Sequence, residues 1–528
     1  MELTGLNFIG NEQSGQGAAT FHAVNPATGV EFSPAFHEAT PREIDEAIFK
    51  AEEAFLAYSK KSGQERALFL ETIADEIITL GDALIKRCCE ETGLTEGRLT
   101  GERGRTVNQL RLFAGLLREG SWMDARIDTA EPDRQPAPKP DIRSMQKAIG
   151  PVGIFGASNF PLAFSVAGGD TASALAGGCT VVAKAHPAHP GTCEMIAHAI
   201  VRAIAKVKMP SGTFSMVHGN STEVGMAIVK HPMIKAIGFT GAFRGGKAIF
   251  DAAARRPAPI PVYAEMSSTN PVFILPGALR EKKEEIAKGL TASVTLGVGQ
   301  FCTKPGLVFL EESQDAAQFQ KLAAANFQGV VAATMLTPRI HESFENGIEK
   351  LGKQEGVTLL AKGKTEEEGF WGVGYLFQTN ARNFLANEHL EEEVFGPSTL
   401  AVTVSNKSEL IEIAQKLKGH LTATLWATED DLDEYAGLIA ILERKVGRLI
   451  INGFPTGVEV CHAMVHGGPF PATTDSRSTS VGTAAITRFA RPVCYQNFPD
   501  ALLPDELKND NPLGIWRLVN GERKKLVT

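Results

Sequence analysis

The amino-acid sequence predicts an α/β fold with two doubly wound parallel-sheet domains and an extended arm. Short apolar runs alternate with helical stretches between residues 150 and 265, and a second alternation begins at residue 271. Residues 122–148 are polar and contain four prolines, a composition typical of an extended hairpin. Because consecutive strand–helix–strand units form right-handed crossovers, this alternation indicates parallel sheets.

Helical patterns dominate the first 120 residues. Apolar positions recur at helical spacing over 41–60, 64–92 and 102–119, and Pro41 favours a helix start. Residues 122–148 would then leave the first domain and return to it as an arm.

Five short apolar runs predict the strands of the first sheet, at 151–155, 180–184, 213–217, 235–239 and 261–265. The helices predicted between them cover 162–177, 190–207, 221–230 and 244–255. The second domain would begin with a strand at 271–275 and a long helix at 279–296.

Composition limits the possible function classes. The 528 residues carry 53 basic and 61 acidic side chains, a formal charge of −8, which argues against broad nucleic-acid binding. None of the seven cysteines forms a C-x-x-C pair, so we expect no metal site, and reduced thiols in a cytoplasmic protein. Residues 148–169 are uncharged, but prolines, glycines and Asn159 interrupt them, so we expect no membrane span.

A glycine-rich turn, GFTGAFRGG at 238–246, lies between a predicted strand and a predicted helix. Glycines such as Gly241 and Gly246 let backbone amides approach a pyrophosphate at a helix N-terminus, where the dipole favours an anion. The turn lacks the G-x-G-x-x-G pattern, so a simple packing turn is an equal alternative.

Three further residues are candidates for catalysis. Cys302 lies in the glycine-flanked loop LGVGQFCTKPG, where a thiol can be a nucleophile or a small buried hydrophobic group. Glu265 ends an apolar strand, where parallel sheets place ligands, although a salt-bridged strand end is the alternative. Asn159 could donate to an oxyanion or cap the helix that follows it.

Six segments occur in a fixed order: GASNFP, VVAKAHP, GFTGAFRGG, the Glu265 segment, GQFC and EEVFGP. Together they resemble the aldehyde dehydrogenase superfamily across nearly the whole chain. The C-terminal run GFPTGVEVCHAMVHGGPFPATTD resembles one branch, the bacterial NADP-linked 2,5-dioxovalerate (α-ketoglutarate semialdehyde) dehydrogenases. This resemblance implies an aldehyde substrate that is oxidised to a carboxylic acid through a cysteine thioester.

The resemblance also implies roles for individual residues. Cys302 would attack the aldehyde, the Asn159 amide would hold the oxyanion, and Glu265 would activate the hydrolytic water. Lys184 would bind the adenosine ribose, Glu393 the nicotinamide ribose, and Phe395 would pack beside the nicotinamide ring.

The expected cofactor is NADP, with NAD possible. NAD-preferring relatives usually carry a glutamate three residues after the ribose lysine, and Pro187 stands at that position here. Lys184 and His186 would donate to a 2′-phosphate, although His186 could equally be a solvated loop residue. Departures from the family pattern occur at Ala242–Phe243, at Ser267–Ser268 and at the segment Pro469–Ala472.

The expected substrate carries a carboxylate, and a buried carboxylate needs a cation. By resemblance, residues 101–115 form the helix that lines the substrate tunnel, which makes Arg105 the candidate cation, with Phe160 and Phe470 as further substrate contacts. The alternative places Arg105 on a solvated helix face with Glu102 and Arg103. A fatty or other aldehyde is the alternative substrate.

The predicted domains are a dinucleotide-binding domain (1–121 and 149–270), a catalytic domain (271–470), and an oligomerisation arm with a C-terminal segment (122–148 and 471–528). The resemblance implies a homodimer or homotetramer. Two other activities were weighed. A cysteine hydrolase leaves the turn at 238–246 unexplained, and a CoA-acylating dehydrogenase needs no base at Glu265.

Overall fold

The computed structural model describes residues 2–365 and 369–525. The N-terminal half contains β1 (Asn7–Ile9), β2 (Glu12–Ser14), β3 (Thr20–Val24), β4 (Glu31–His37), α1 (Pro41–Tyr58), α2 (Gly63–Thr79), α3 (Gly81–Thr92), α4 (Glu96–Glu119), β5 (Arg126–Asp128), β6 (Ile142–Ala148), β7 (Val152–Phe155), α5 (Gly169–Gly177), β8 (Val181–Lys184), α6 (Pro190–Lys206), β9 (Phe214–Val217), α7 (Thr222–Lys230), β10 (Ala236–Thr240), α8 (Phe243–Ala254) and β11 (Val262–Glu265).

The C-terminal half contains β12 (Val272–Ile274), α9 (Pro276–Thr295), β13 (Leu307–Glu311), α10 (Gln314–Gln328), β14 (Ala333–Thr334), α11 (Pro338–Gly352), β15 (Thr358–Lys362), β16 (Trp371–Gly372), β17 (Tyr375–Asn380), α12 (Ala381–Ala386), β18 (Ser398–Val404), α13 (Lys407–Lys416), β19 (His420–Trp426), α14 (Glu429–Glu434), α15 (Ala436–Leu442), β20 (Val446–Ile451), β21 (Ala490–Gln496), β22 (Arg517–Val519) and β23 (Glu522–Lys524). Short 3₁₀ helices cover Ser121–Met123, Leu296–Gly299, Glu388–Glu391, Thr483–Phe489, Asp500–Leu502 and Asp505–Leu507.

The first sheet has the strand order β11-β10-β7-β8-β9-β1-β2. The five strands β7 to β11 are parallel and correspond to the five predicted apolar runs. The chain winds outward from β7 to β9 and then returns to place β10 on the other side of β7. This reversal opens a crevice at the carboxyl ends of the strands, where ligands of doubly wound sheets bind.

Helices α1, α2 and α4 begin at side-chain caps that the sequence specifies. Thr40 and Glu43 form a reciprocal capping box with Pro41 at the first helical position of α1. The single helix predicted over 64–92 is two helices, because Gly81 adopts a φ of +57° between α2 and α3. The helix predicted from residue 162 begins only at Gly169, since the chain before it folds as turns.

The second sheet has the order β15-β17-β18-β13-β12-β19-β20, and all its strands except the antiparallel edge strand β15 are parallel. Every residue of β12 and of β19 is buried, as expected for strands covered on both faces. The carboxyl end of the first sheet and the loop before β13 supply the site described below.

The predicted arm is a separate five-stranded sheet in the order β21-β6-β5-β22-β23. It joins residues 126–148 to the C-terminal segment. However, residues 472–480 of that segment do not reach the arm. They lie against the end of β11, where Met266 N–H donates to Ala472 and Ser480 contacts Glu265.

The α/β fold with two parallel-sheet domains and an arm is therefore confirmed. The N-terminal strands β1 to β4 were not predicted. β1 and β2 extend the first sheet in antiparallel fashion, and β3 and β4 form a separate pair. In the described part of the chain, no helix combines the length and apolar character needed to cross a membrane.

Candidate active site

Glu265 is the last residue of β11, and its side chain is only 4% exposed. Its Oε1 lies 2.8 Å from Nε2 of His466, and its Oε2 accepts a 2.7 Å hydrogen bond from the Ser480 hydroxyl. Both carboxylate oxygens are therefore held by groups from the C-terminal segment, and the carboxylate has one fixed orientation.

Cys302 follows a tight turn after α9. Gly297, Val298 and Gly299 all have positive φ angles, which reverses the chain before the thiol. The Asn270 side-chain amide donates to the carbonyl of Cys302 at 2.8 Å and to that of Lys304 at 3.0 Å. These contacts fix the loop, and the Cys302 side chain is half-buried rather than on the surface.

His466 connects the two predicted catalytic residues. Its Nε2 lies 2.8 Å from Glu265 and 3.5 Å from the Cys302 sulfur. Its Nδ1 is buried and has no hydrogen-bond partner in the described residues, so the ring proton belongs on Nε2, facing the carboxylate. The sequence analysis missed His466, which lies 201 residues from Glu265 in the chain.

The surroundings of Glu265 and Cys302 shift the pKa values of their side chains in opposite directions. Burial alone would raise the pKa of Glu265, but His466, the Ser480 hydroxyl and the Cys302 thiol hold it below its ordinary value. Burial raises the pKa of Cys302 well above its ordinary value, and the Glu265 charge raises it further while Arg105 opposes the change. Glu265 is thus ionised beside a protonated thiol.

Asn159 lies near the nucleophile loop and is 8% exposed. One N–H of its amide donates to the Gln300 carbonyl at 3.0 Å, two residues before Cys302. No helix begins directly after Asn159, because the next helix starts at Gly169, so the capping alternative is wrong. The second N–H remains available to an oxyanion at the thiol.

An aromatic cluster forms the wall next to Asn159. Phe160 contacts Phe164 and Phe301 edge-on, at centroid distances of 5.3 Å and 5.2 Å. The Arg98 guanidinium lies over Phe160 and Phe301, and donates to the Asn159 carbonyl at 2.9 Å. Arg98, Phe164 and Phe301 carried no signal in the sequence that distinguished them from ordinary core or helix residues.

Arg105 extends from α4 to the same cluster, 5.1 Å from the Phe164 ring centroid and 5.7 Å from that of Phe160. Two of its guanidinium nitrogens are buried, with no hydrogen-bond partner among the described residues. Burial lowers the pKa of Arg105, and the charges of Cys302, Glu102 and Glu265 partly compensate. The solvated-face alternative is therefore wrong, and Glu102 is itself buried.

Phe470 lies apart from this cluster, although the sequence analysis expected it at the substrate. It is 54% exposed and contacts Phe243 at a centroid distance of 5.9 Å, at the start of α8. A turn in which Ala472 N–H donates to the Pro469 carbonyl carries Phe470 at its tip and directs it there. Phe470 therefore borders the start of α8 rather than the aromatic cluster.

The glycine turn leads into α8 as predicted. A Cβ at Gly246 would lie 2.7 Å from Cγ of Met266, and one at Gly241 would lie 2.8 Å from the Phe239 ring. Both glycines are thus required for packing. The N-cap residue Ala242 provides no side-chain cap; instead the Phe243 N–H donates to the Ser267 hydroxyl at 3.3 Å, and the N–H groups of Gly245 and Gly246 donate to the Ala242 carbonyl. The positive end of the α8 dipole still favours an anion such as a pyrophosphate.

Lys184 ends β8 and donates to the Gly219 carbonyl at 2.6 Å, and burial lowers its pKa to about 8. His186 is half-buried and stacks on His189, and its Nδ1 accepts from the Ala188 N–H at 3.1 Å. Burial lowers the pKa of His186 well below its ordinary value, so only its Nε2–H is left to donate. The fully solvated alternative is therefore wrong. A cavity of about 690 Å³ lies between the C-terminal halves of α7 and α8, away from the carboxyl ends of the strands.

Glu393 and Phe395 are half-buried next to the nucleophile loop. A Cβ at Gly299 would lie 2.3 Å from the carbonyl carbon of Gly396, so the two loops meet backbone to backbone. Burial raises the pKa of Glu393 to about 7, although Lys304 and hydrogen bonds from Ser267 and Ser268 oppose the rise. The described residues thus place the Glu393 carboxylate, Lys184 and the N-terminus of α8 along one crevice, which fits a dinucleotide.

Glu265, Cys302 and His466 also have the chemistry of a metal site, since their ligand atoms lie within 4.8 Å of one another. Among residues 2–365 and 369–525, this is the only such group of three. Each of the three already has a partner within the group. The arrangement therefore suits a nucleophile, a base and an imidazole that holds the base.

Comparison with known proteins agrees with this geometry. Residues 13–481 match the aldehyde dehydrogenase family. The chain is 50% identical to alpha-ketoglutaric semialdehyde dehydrogenase 2 of Azospirillum brasilense, over 99% of this chain and 100% of that protein. It is 48% identical to alpha-ketoglutaric semialdehyde dehydrogenase of Acinetobacter baylyi, over 98% of this chain and 99% of that protein.

Solved structures share the fold. Betaine aldehyde dehydrogenase from Staphylococcus aureus in complex with NAD⁺ superposes with a TM-score of 0.80 at 20% identity, and the match covers 94% of this chain and 96% of that one. HpcC from Thermus thermophilus also gives 0.80, at 23% identity, over 94% of this chain and 93% of that one. Because the family match spans most of the chain and full-length relatives share half its residues, the chain belongs to the aldehyde dehydrogenase family.

Proposed function

We propose that this enzyme oxidises a carboxylate-bearing semialdehyde, 2,5-dioxovalerate, to the dicarboxylic acid with NADP as the oxidant. The observation that carries the substrate assignment is Arg105, whose buried guanidinium has unsatisfied donors beside the nucleophile. A substrate carboxylate would satisfy those donors with two parallel hydrogen bonds. The two relatives with about half their residues identical carry the corresponding activity in their names.

In the proposed reaction, the Cys302 thiol loses its proton to solvent, and the thiolate adds to the aldehyde carbon. The Asn159 amide and the Cys302 backbone N–H donate to the oxyanion that forms; loss of one such donor costs roughly 10²–10³ in rate. When bound, the nicotinamide would supply the oxidising power as a hydride acceptor, and Glu393 and Phe395 would hold it beside Cys302. Cys302 then carries the acyl group as a thioester.

Hydrolysis releases the product. Glu265 removes a proton from water, which attacks the thioester carbon, and the C–S bond breaks to return the Cys302 thiol. His466 and Ser480 hold both carboxylate oxygens, so they keep the base in position between the two steps. The net reaction consumes one water and one oxidised cofactor for each aldehyde.

The preference for NADP rests on Pro187, which leaves no acidic side chain at that position to repel a 2′-phosphate. Lys184 and His186 lie at the same end of β8 and can donate to an anion. We propose that NADP is used at least as well as NAD, with Gly241, Gly246, Glu393 and Phe395 lining the rest of the cofactor site.

A fatty aldehyde is the second candidate substrate, and the wall of Phe160, Phe164 and Phe301 favours it. An aldehyde panel separates the two, with each aldehyde assayed against NAD and NADP by the absorbance of the reduced cofactor. The proposal requires that 2,5-dioxovalerate has a kcat/KM at least roughly tenfold above that of hexanal or decanal, as expected for one charge-assisted pair. Equal or higher values for the alkyl aldehydes would contradict it.

We further propose a cytoplasmic homodimer or homotetramer assembled through the arm. The edge strands β21 and β23 of the arm sheet are unpaired on one side in the described structure. Large apolar side chains lie exposed in the same C-terminal region: Phe498, Leu502, Leu513 and Trp516. Light scattering of the purified chain tests the assembly.

A further inference from the structure

Glu38 has an unusual set of partners for a residue next to a strand end. It follows β4, and its Oε1 accepts the backbone N–H of Asn220 at 2.6 Å and of Ser221 at 2.7 Å. Ser221 is the N-cap of α7, and its own side chain does not cap that helix. A carboxylate from a distant segment, 182 residues away, therefore occupies the anion-favouring N-terminus of α7.

Lys184 approaches the same turn from the other side. Its Nζ donates to the carbonyl of Gly219, the residue directly before Asn220. Burial would raise the pKa of Glu38, but the bonds from Ser221 and Asn220 and the Lys184 charge hold it below its ordinary value. The turn at 219–221 thus carries an ionised carboxylate and a lysine together, at the carboxyl ends of β8 and β9.

A doubly wound sheet binds a dinucleotide at the carboxyl ends of its strands, which is where this turn lies. With the pyrophosphate at the start of α8, the adenosine would extend across the strand ends towards the turn at 219–221 that precedes α7. A carboxylate at such a strand end accepts hydrogen bonds from a ribose 2′-hydroxyl and repels a 2′-phosphate. Pro187 cannot perform that function, whereas Glu38 stands beside Lys184 and can.

We infer that Glu38 determines cofactor specificity: it binds the adenosine ribose 2′-hydroxyl of NAD and restrains the use of NADP. This inference rests on the proposed function only for the placement of the dinucleotide along this crevice. According to this inference, Lys184 and His186 attract a 2′-phosphate and Glu38 repels it. The ratio of kcat/KM with NADP to kcat/KM with NAD in the native enzyme therefore reflects both influences.

The test is Glu38→Gln, because the amide oxygen can still accept from Asn220 and Ser221 while the charge is lost. We expect the ratio of kcat/KM with NADP to kcat/KM with NAD to rise roughly tenfold, the size of one like-charge repulsion near a surface. Glu31→Gln, an equal loss of charge on β4, is the matched control and leaves the ratio unchanged.

A second measurement uses fragments in place of cofactors. The inhibition constant of 2′-AMP against NADP falls by a similar factor in Glu38→Gln, whereas that of 5′-AMP changes little. If both cofactors lose efficiency equally and the melting temperature drops, Glu38 only anchors the N-terminal segment and the inference is overturned. An unchanged ratio in a stable variant overturns it as well.

The proposed function and the inference about Glu38 can be contradicted independently of each other. The specificity ratio can be measured with any aldehyde that the enzyme oxidises, so an incorrect substrate assignment leaves this test intact. A native preference for NAD contradicts the proposed cofactor preference, whereas the inference about Glu38 depends only on how the ratio changes upon substitution.

Discussion

The Nε2 atom of His466 lies 2.8 Å from the Glu265 carboxylate and 3.5 Å from the Cys302 sulfur. One imidazole therefore contacts both the proposed nucleophile and the proposed base. Its own position is fixed because its backbone N–H donates to Thr479 and its carbonyl accepts from Ser480. The contact between His466 and Glu265 makes the ionisation of the base depend on a residue that never needs to touch the substrate.

Replacement of His466 by Asn should therefore change the pH dependence more than the KM. The His466 side chain helps hold the pKa of Glu265 below its ordinary value, so its loss raises that pKa and moves the acidic limb of the kcat profile to higher pH. We expect kcat at neutral pH to fall roughly 10–100-fold, less than the 10²–10⁴ of losing a general base altogether, because Glu265 itself remains.

His462→Asn is the control for this experiment, since His462 is exposed in the same segment. It should leave the pH profile and kcat of the native enzyme unchanged. A His466→Asn enzyme whose acidic limb coincides with that of the native enzyme would show that the imidazole does not act on Glu265.

Glu265→Gln should separate the two chemical steps. An amide cannot accept a proton from water, so deacylation slows by roughly 10²–10⁴ while the first turnover still releases reduced cofactor. Stopped-flow absorbance should show a burst close to one equivalent per active site, followed by a very slow steady state. Steady-state turnover at the native rate would assign the base to another residue.

The reactivity of the Cys302 thiol should rise steeply with pH. Burial and the Glu265 charge raise the pKa of Cys302, so little thiolate exists at neutral pH, and each higher pH unit should accelerate alkylation about tenfold. Peptide mapping after iodoacetamide treatment measures the rate at Cys302, with the exposed Cys494 as the internal reference.

In Glu265→Gln the alkylation of Cys302 at neutral pH should be faster than in the native enzyme, because a charge that raises the thiol pKa is gone. Slower alkylation would mean instead that Glu265 must first remove the thiol proton in the free enzyme.

Arg105→Ala should discriminate between aldehydes. The KM for 2,5-dioxovalerate should rise roughly 10–100-fold for the loss of a charge-assisted pair, whereas that for hexanal should change little. Arg111→Ala, on the exposed face of the same helix, is the control. Equal losses on charged and uncharged aldehydes would show that Arg105 only supports the aromatic cluster.

Local patterns sufficed for much of the fold. The five parallel strands of the first sheet and the helix at Pro41 follow from apolar periodicity and capping. Two errors have local causes: Gly81 splits one predicted helix, and the three-residue strands β1 and β2 are too short to show alternation. Neither the pairing of β1 with β9 nor its direction is encoded nearby in sequence.

The sequence indicated the candidate site residues whose local surroundings point to their chemistry. It did not indicate the residues that only the fold brings to the site. Cys302, Glu265 and Asn159 follow strand ends or loops with recognisable composition, and the structure places them together. His466 and Ser480 come from a segment more than 200 residues after Glu265. Phe470 was assigned to the wrong side of the site, because the direction of a loop tip depends on contacts that its own sequence does not specify.

The most direct test of the account is to trap the acyl group. Glu265→Gln enzyme is mixed with 2,5-dioxovalerate and NADP, quenched in acid and mapped by peptide mass spectrometry. The account predicts that the peptide containing Cys302 gains the mass of the acyl group, that the other six cysteines remain unmodified, and that Cys302→Ala in the same background abolishes the adduct. An adduct on another residue, or reduced cofactor formed without any adduct, would contradict it.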